Sequence, residues 1–337
     1  MVSDNRIDIL DGWRALSILA VLAGHLLPLG PGAWGLNGAV AASGMAIFFT
    51  LSGFLITRLL LDDPRVPQFL VRRLFRIVPL AWLAIAVLAV ANQATLPVVV
   101  ANLGFFANLP PAQLMHGGEH LWSLCVEVQF YAFAAIIVFC AGRRALYLLP
   151  VLALIVTGLR VYATEPMSIV TWHRVDEILA GTIVALLYHH GVLKRVAEAL
   201  PRSTTIILLP ILILCSHPVG GVLMFARPYV AAAAVGVSIY AAPALMRQIF
   251  HSQPAKYIAT TSYALYVIHG MLSVTWLGSG DTFVKYAKRP LLFILTFALA
   301  HVSTFIFEAK MITIGKRTAR RFGGKMVGTV APESAPR

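Results

Sequence analysis

The sequence predicts an all-α polytopic membrane protein, a bundle of about ten transmembrane helices with both termini cytoplasmic. Three observations predict it. Apolar residues make up 59% of the 337 and charged residues only 12%, with a mean hydropathy of +0.80, well outside the range of soluble domains. Apolar runs close to the roughly 20 residues that a helix needs to cross the hydrocarbon core recur along almost the whole chain. With ten spans and both termini on one side, 21 of the 27 basic residues fall on that side and six on the other, which is the positive-inside pattern. The net charge of +13 is thus largely topological and needs no nucleic-acid partner to explain it.

The runs lie at 8–28, 37–60, 77–93, 120–141, 145–163, 169–190, 203–217, 221–244, 258–278 and 290–311, and a shorter one at 95–109 suits a short span, a re-entrant piece or an interfacial helix. The first run has full length and carries Asp11 and Arg14 at its start, so it reads as a retained helix rather than a cleavable signal. Residues 1–315 form one membrane domain, and 316–337 read as a basic, disordered or surface-lying cytoplasmic tail. The cysteines Cys125, Cys140 and Cys215 sit in or beside apolar runs without CxxC spacing, which argues against a disulfide framework or a zinc site.

Ionisable residues inside spans are costly and by default face the bundle interior or a water-filled cavity, so each is a candidate for function. On the first helix, "LDGWRALSILAVLAGH" separates Arg14 from His25 by eleven residues, which puts both on one face and about 16 Å apart along the axis. Arg14 then lies near the inner end and His25 near the outer end. In "FLVRRLFRIVPL", Arg72, Arg73 and Arg76 fall within about one turn of a helix entering the membrane. That spacing can present guanidinium groups to phosphates from the cytoplasm; an ordinary positive-inside anchor is the competing reading.

In "GEHLWSLCVEVQFY", Ser123, Glu127 and Tyr131 recur every four residues and line one stripe of the fourth helix, with Trp122 at its outer end. A carboxylate paired to Arg14 or Arg174 is the structural alternative for Glu127. The adjacent "HGGEH", residues 116–120, fits a zinc-protease pattern only if it is helical, and two glycines between the histidines oppose that; no metal is expected. "TWHRVDEILAG" carries His173, Arg174, Asp176 and Glu177, where a local ion pair is the simplest account. Tyr263, Tyr266 and His269 in "TSYALYVIHG", and Glu308 in "FIFEAK", suit packing or capping.

Taken in order, "LDGWRALSILAVLAGH", "FFTLSGFLIT", "VRRLFRIVPL", "LWSLCVEVQFY", "HRVDEILAG" and "TSYALYVIH" resemble the membrane acyltransferase family 3, the bacterial O-acyltransferases of cell-surface and exported glycans. The resemblance covers residues 10 to about 270 and rests on the order of the motifs rather than on any one of them. It implies about ten helices in the bacterial cytoplasmic (inner) membrane, an acyl-coenzyme A donor, usually acetyl-CoA, and a carbohydrate or lipid-linked glycan acceptor. His25 and Arg14 match the family's first-helix pair, Arg73 and Arg76 its Arg-x-x-Arg pair, and Glu127 its fourth-helix acid. The chain departs from the family at the last helix, where "FEAK" stands for an acid followed by Lys or Arg and Pro. It also has no room for the secreted hydrolase-like domain that many relatives carry, so the membrane domain or a separate partner is expected to complete the transfer.

The chemistry agrees with the residues. Transfer from a thioester to an alcohol needs a base with a pKa near the operating pH, and the imidazole of His25 supplies one. Arg14, Arg73 and Arg76 are the donor-phosphate residues. Glu127 is the second catalytic group, orienting the imidazole, stabilising its protonated form or holding a sugar hydroxyl. Asp11, Trp122, Ser123, Tyr131, Arg174, Asp176 and His269 complete the set as substrate-binding candidates. A transporter or flippase of a lipid-linked glycan or organic anion is the alternative, since intramembrane His, Glu and Arg also mark transport pathways; the lack of an internal repeat weighs against it. A non-catalytic partner that holds a glycan polymerase or a lipid carrier, with the arginines as anchors, is a further alternative.

Overall fold

The computed structural model describes residues 7–322. Among these residues every regular element is helical and no strand occurs. The α-helices are α1 (Ile9–Leu26), α2 (Leu36–Asp62), α3 (Val66–Ala91), α4 (Leu96–Leu103), α5 (Trp122–Ala141), α6 (Leu149–Tyr162), α7 (Asp176–His189), α8 (Val192–Ala199), α9 (Thr204–Leu214), α10 (Arg227–Ala241), α11 (Ala244–Phe250), α12 (Gln253–Ser273), α13 (Thr282–Ala287), α14 (Arg289–Val302) and α15 (Ala309–Arg321).

Among the described residues seven helical stretches are long and apolar enough to cross a membrane, or eight if the bent pair α8 and α9 counts as one span. Length and composition therefore do not reach the expected ten. The run expected at 203–217 becomes the 11-residue α9, about 16 Å long and well short of a 30 Å core; it meets α8 at 96°. The run at 169–190 holds a helix of only 14 residues, α7. The 95–109 segment contains only the eight-residue α4, and the chain then turns back through positive-φ Phe105. At the other extreme the last span is longer than expected, because α14, a π-helical turn at Ser303–Glu308 and α15 form one stretch from Arg289 to Arg321. The tail expected from residue 316 is thus helical as far as Arg321, and the rest of it lies outside the described residues.

Helix α2 is the hub, the most deeply buried of the apolar spans. One core cluster joins it to α1, α3, α5 and α12 through Leu22, Phe49, Leu80 and Phe130, and a second joins it to α7 and α10 through Phe54, Ala180 and Val235. The crossing of α2 and α7 is set by small residues. A Cβ on Gly53 would fall 1.8 Å from the carbonyl oxygen of Ile178, and one on Gly181 would fall 2.1 Å from that of Thr50. Backbones brought this close gain dispersion contacts, which replace the hydrophobic drive that is missing between helices in lipid. The glycines of "LSGF" and "ILAG" are thus explained by packing alone.

Gly53→Ala and Gly181→Ala each force α2 and α7 apart, because the obstacle is backbone rather than a movable side chain. We expect a loss of about 3 kcal/mol or more, read as a lowered Tm of the detergent-solubilised protein. An unchanged Tm would contradict this crossing.

Candidate active site

At the end of the bundle where α1 begins, the second and third turns of α3 carry Arg72, Arg73 and Arg76. The (i, i+3) and (i, i+4) spacings keep them on adjoining rows of the helix. With Arg14 from α1 and Lys316 from α15 they line a cavity of about 390 Å³, which Phe69 and Ile312 floor with apolar surface. Asp63 and Arg65 also line it. Arg65 donates to both carboxylate oxygens of Asp63, at 2.7 Å each. This pairing holds the Asp63 carboxyl below the usual carboxylate range, so the two neutralise each other. Arg14 keeps a looser ion pair to Asp11 at 3.6 Å. Arg14, Arg73 and Arg76 repel one another, and the cavity has more cations than carboxylates. Such a cluster favours a polyanion, which guanidinium forks bind through charge-assisted, paired hydrogen bonds. The start of α1 and the end of α15 lie at this same end of the bundle.

Deeper in, a small cavity connects Arg14, Arg73 and Arg76 to Glu127, Ser52 and Tyr131. Glu127 Oε1 accepts from both the Ser52 and the Tyr131 hydroxyls, and the Arg73 guanidinium stands 5.8 Å over the Tyr131 ring. Glu127 is therefore held by hydroxyls and faces the arginine chamber. Among the described residues Glu127 forms neither the alternative ion pair to Arg14 or Arg174 nor a hydrogen bond to His25. In the turn before α5, Glu119–Leu121, Glu119 is exposed while His120 is only 8% exposed. Glu127, in the second turn of α5, lines the cavity that it shares with Arg14, Arg73 and Arg76.

At the far end of α1, His25 is exposed and its Nδ1 lies 2.9 Å from Nε2 of His269 on α12. The His120 ring packs 4.7 Å from that of His269, and His120 Nε2 lies 3.2 Å from the Val267 carbonyl oxygen. Ser123 and Tyr266 hydroxyls are 2.5 Å apart, and Tyr266 donates to the His120 carbonyl. The Tyr266 ring stacks on Phe48, which lines the cavity beside Glu127. A continuous line of polar groups and rings thus joins the arginine end to the histidine end.

Two other candidates are elsewhere. Asp176 is fully buried, with Arg160 and Thr157 as its partners, and Arg174 pairs with Glu177 at 3.4 Å while Arg227 reaches the same carboxylate at 2.6 Å. Asp176 and Arg174 belong to a desolvated network in which each charge needs its neighbours. Trp122 is half-buried, its ring under the Arg174 guanidinium at 5.1 Å and edge-on to Phe49. Asp11 lies at the arginine end. Arg160, Glu177 and Arg227 carry no spacing signal that links them. Ser52 was present in "FFTLSGFLIT", and His120 in the stretch read as a false metal motif. That stretch is no helix: Gly117 has φ +79°, the exposed His116 pairs with Glu119 at 3.1 Å, and His120 turns away from both. Among the described residues no group of three or more His, Cys, Asp or Glu is placed to hold a metal.

The sequence pattern of a family described as "Acyltransferase domain" matches residues 7–309. The peptidoglycan O-acetyltransferase OatA of Listeria monocytogenes is 28% identical over 77% of this chain and 48% of its own length. The putative peptidoglycan O-acetyltransferase YrhL of Bacillus subtilis is 26% identical over 93% of this chain and 56% of its own. A putative O-acetyltransferase of Staphylococcus aureus is 30% identical over 38% of this chain and 24% of its own. The chain thus spans about half the length, or less, of the curated relatives it matches. No solved structure matches it.

The buried network yields a stability test. Asp176→Ala strands the fully buried Arg160 and is expected to cost about 3–5 kcal/mol, seen as a lower Tm in detergent. Replacing Arg160 by Met in the same chain should recover much of the loss. If the single variant melts as the parent does, the pair is not the buried contact described.

Proposed function

Because the chain belongs to the acyltransferase family, we propose that it transfers an acyl group, acetyl, from acyl-coenzyme A to a hydroxyl of a cell-surface or exported carbohydrate. The observation that carries this reading is the division of α1: Arg14 joins a cation-rich cavity at one end, and an exposed imidazole stands at the other, about three turns away. The relatives named as peptidoglycan O-acetyltransferases support a glycan as acceptor. The cavity supports a donor with several phosphates.

In this mechanism Arg14, Arg73 and Arg76, with Arg72 and Lys316 at the rim, hold the phosphates of coenzyme A at the cytoplasmic face. The acyl arm extends past Ser52, Glu127 and Tyr131 toward the histidines. His25 takes the proton of the acceptor hydroxyl as that oxygen attacks the thioester carbonyl. The tetrahedral intermediate collapses, the carbon–sulfur bond breaks, and the thiolate of coenzyme A recovers the proton. The ester stays on the glycan and free coenzyme A leaves by the way it came. Glu127 keeps the arm's polar groups in place through its two hydroxyl partners, or receives one of their hydrogen bonds when the arm displaces them. The same reading puts both termini in the cytoplasm and the chain in the bacterial inner membrane.

Purified protein given radiolabelled acetyl-CoA and a muropeptide or related oligosaccharide should release coenzyme A and label the sugar. Absence of both donor binding and thioester turnover would overturn the reading. His25→Ala should abolish sugar labelling while membrane insertion and coenzyme A binding persist. Arg76→Ala should weaken coenzyme A binding by roughly 10- to 100-fold, the range of a hydrogen bond to a charged group, with acceptor affinity unchanged; equal loss of both would contradict the donor site.

A further inference from the structure

Nothing assigned so far sets which nitrogen of His25 carries the proton, and the hydrogen bonds around His269 settle it. His269 is 1% exposed, and its Nδ1 lies 2.7 Å from the Tyr266 carbonyl oxygen and 3.2 Å from that of Leu265, one turn back on α12. A carbonyl only accepts, so Nδ1 of His269 is the protonated nitrogen and its Nε2 presents a lone pair. That lone pair faces His25 Nδ1 at 2.9 Å, which makes His25 Nδ1–H the donor. His25 Nε2 is left unprotonated at the exposed edge of the ring, and it makes no hydrogen bond with protein among the described residues.

We infer that His269 is a positioning residue that holds His25 as the Nδ1–H tautomer with its basic Nε2 directed outward, and that accepts the hydrogen bond of the imidazolium formed when His25 takes the acceptor's proton. The inference rests on His25 being the base in the proposed transfer. It assigns to a neutral, backbone-anchored histidine the orienting task that a carboxylate performs in many hydrolases. No carboxylate is needed at the ring. Glu127 is engaged with Ser52 and Tyr131, and Glu119 with His116 and the Gly117 amide.

The surroundings hold His269 to this role. From α1 it meets His25, from the turn before α5 it meets the His120 ring, and on its own helix it packs against Tyr266 at 5.7 Å. His120 is fixed in turn by Val267, and it lies where Gly270 leaves room: a Cβ on Gly270 would fall 2.2 Å from His120 Cε1. The glycine that follows His269 in "IHG" therefore makes space for the ring that backs it.

The test compares His269→Leu with His269→Gln, whose side-chain oxygen can accept from His25 Nδ1–H. The leucine variant should lose about 100-fold or more in kcat, within the range of a general base's contribution, with KM for acetyl-CoA unchanged. The glutamine variant should recover at least a tenth of the parental rate. A leucine variant within about threefold of the parent, or a glutamine variant as slow as the leucine one, overturns the inference. The tautomer itself is read without any activity, from ¹⁵N-labelled histidine in the membrane-embedded protein. His25 should be protonated at Nδ1 in the parent and in His269→Gln, and mixed in His269→Leu. An Nε2–H His25 in the parent overturns the inference even if acetyl transfer is established, whereas failure of His25→Ala to stop transfer would refute the base assignment and leave the tautomer result standing.

Discussion

Each ion taken out of water in a bundle this apolar costs several kcal/mol unless a neighbour compensates it, and the packing of α2 against α1, α7, α3 and α12 sorts the charged groups by how they meet that cost. Arg160, Asp176, Arg174, Glu177 and Arg227 pair with one another in a buried network. Glu127 is compensated by two hydroxyls. The arginines of α1 and α3 outnumber the carboxylates near them, and they line an open cavity. The excess charge is therefore placed where an anion from solution can reach it. The same close packing that makes desolvation expensive, with Gly53 and Gly181 in backbone contact, keeps these three arrangements apart.

Helix α1 belongs to two of these environments. Its first turns carry Asp11 and Arg14 to the cation-rich end, and its last turn carries His25 to the other. The proposed transfer, from a soluble anionic donor on one side to a glycan on the other, fits this polarity, because neither substrate then has to cross the whole bilayer. Between the ends stand the Glu127 hydroxyl cluster and the stacked Phe48 and Tyr266 rings.

The π-helical turn at Ser303–Glu308 lies across a further cavity from Arg14 and Arg76. There the Ser303 and Thr304 hydroxyls donate to Glu308 at 3.2 and 3.1 Å, so this acid too is satisfied without an arginine. A π turn widens the helix by one residue and re-aims the side chains after it. In this chain it turns Glu308 inward and lets α15 carry Lys316 back over the arginines. The departure of "FEAK" from the family pattern thus falls where the helix changes its winding, and Glu308 belongs to the lining of the arginine end.

Composition and the length of apolar runs determined that the chain is helical and built for a membrane, since a backbone in lipid must satisfy its own hydrogen bonds. Spacing along single helices determined that Arg73 and Arg76 lie side by side and that Arg14 and His25 share a face, because both follow from 3.6 residues per turn. Relations between helices were not legible in the same way. Residues 25 and 269, or 52 and 127, meet only through the rotation and depth of packed helices, which small residues such as Gly53, Gly181 and Gly270 set and no periodicity records. For that reason the sequence left Glu127 open between His25 and the acceptor, whereas the packed helices place it against the Ser52 and Tyr131 hydroxyls. His269, which looked like packing in the sequence, became the ring against which His25 is held, because one backbone carbonyl on α12 decides which of its nitrogens faces α1.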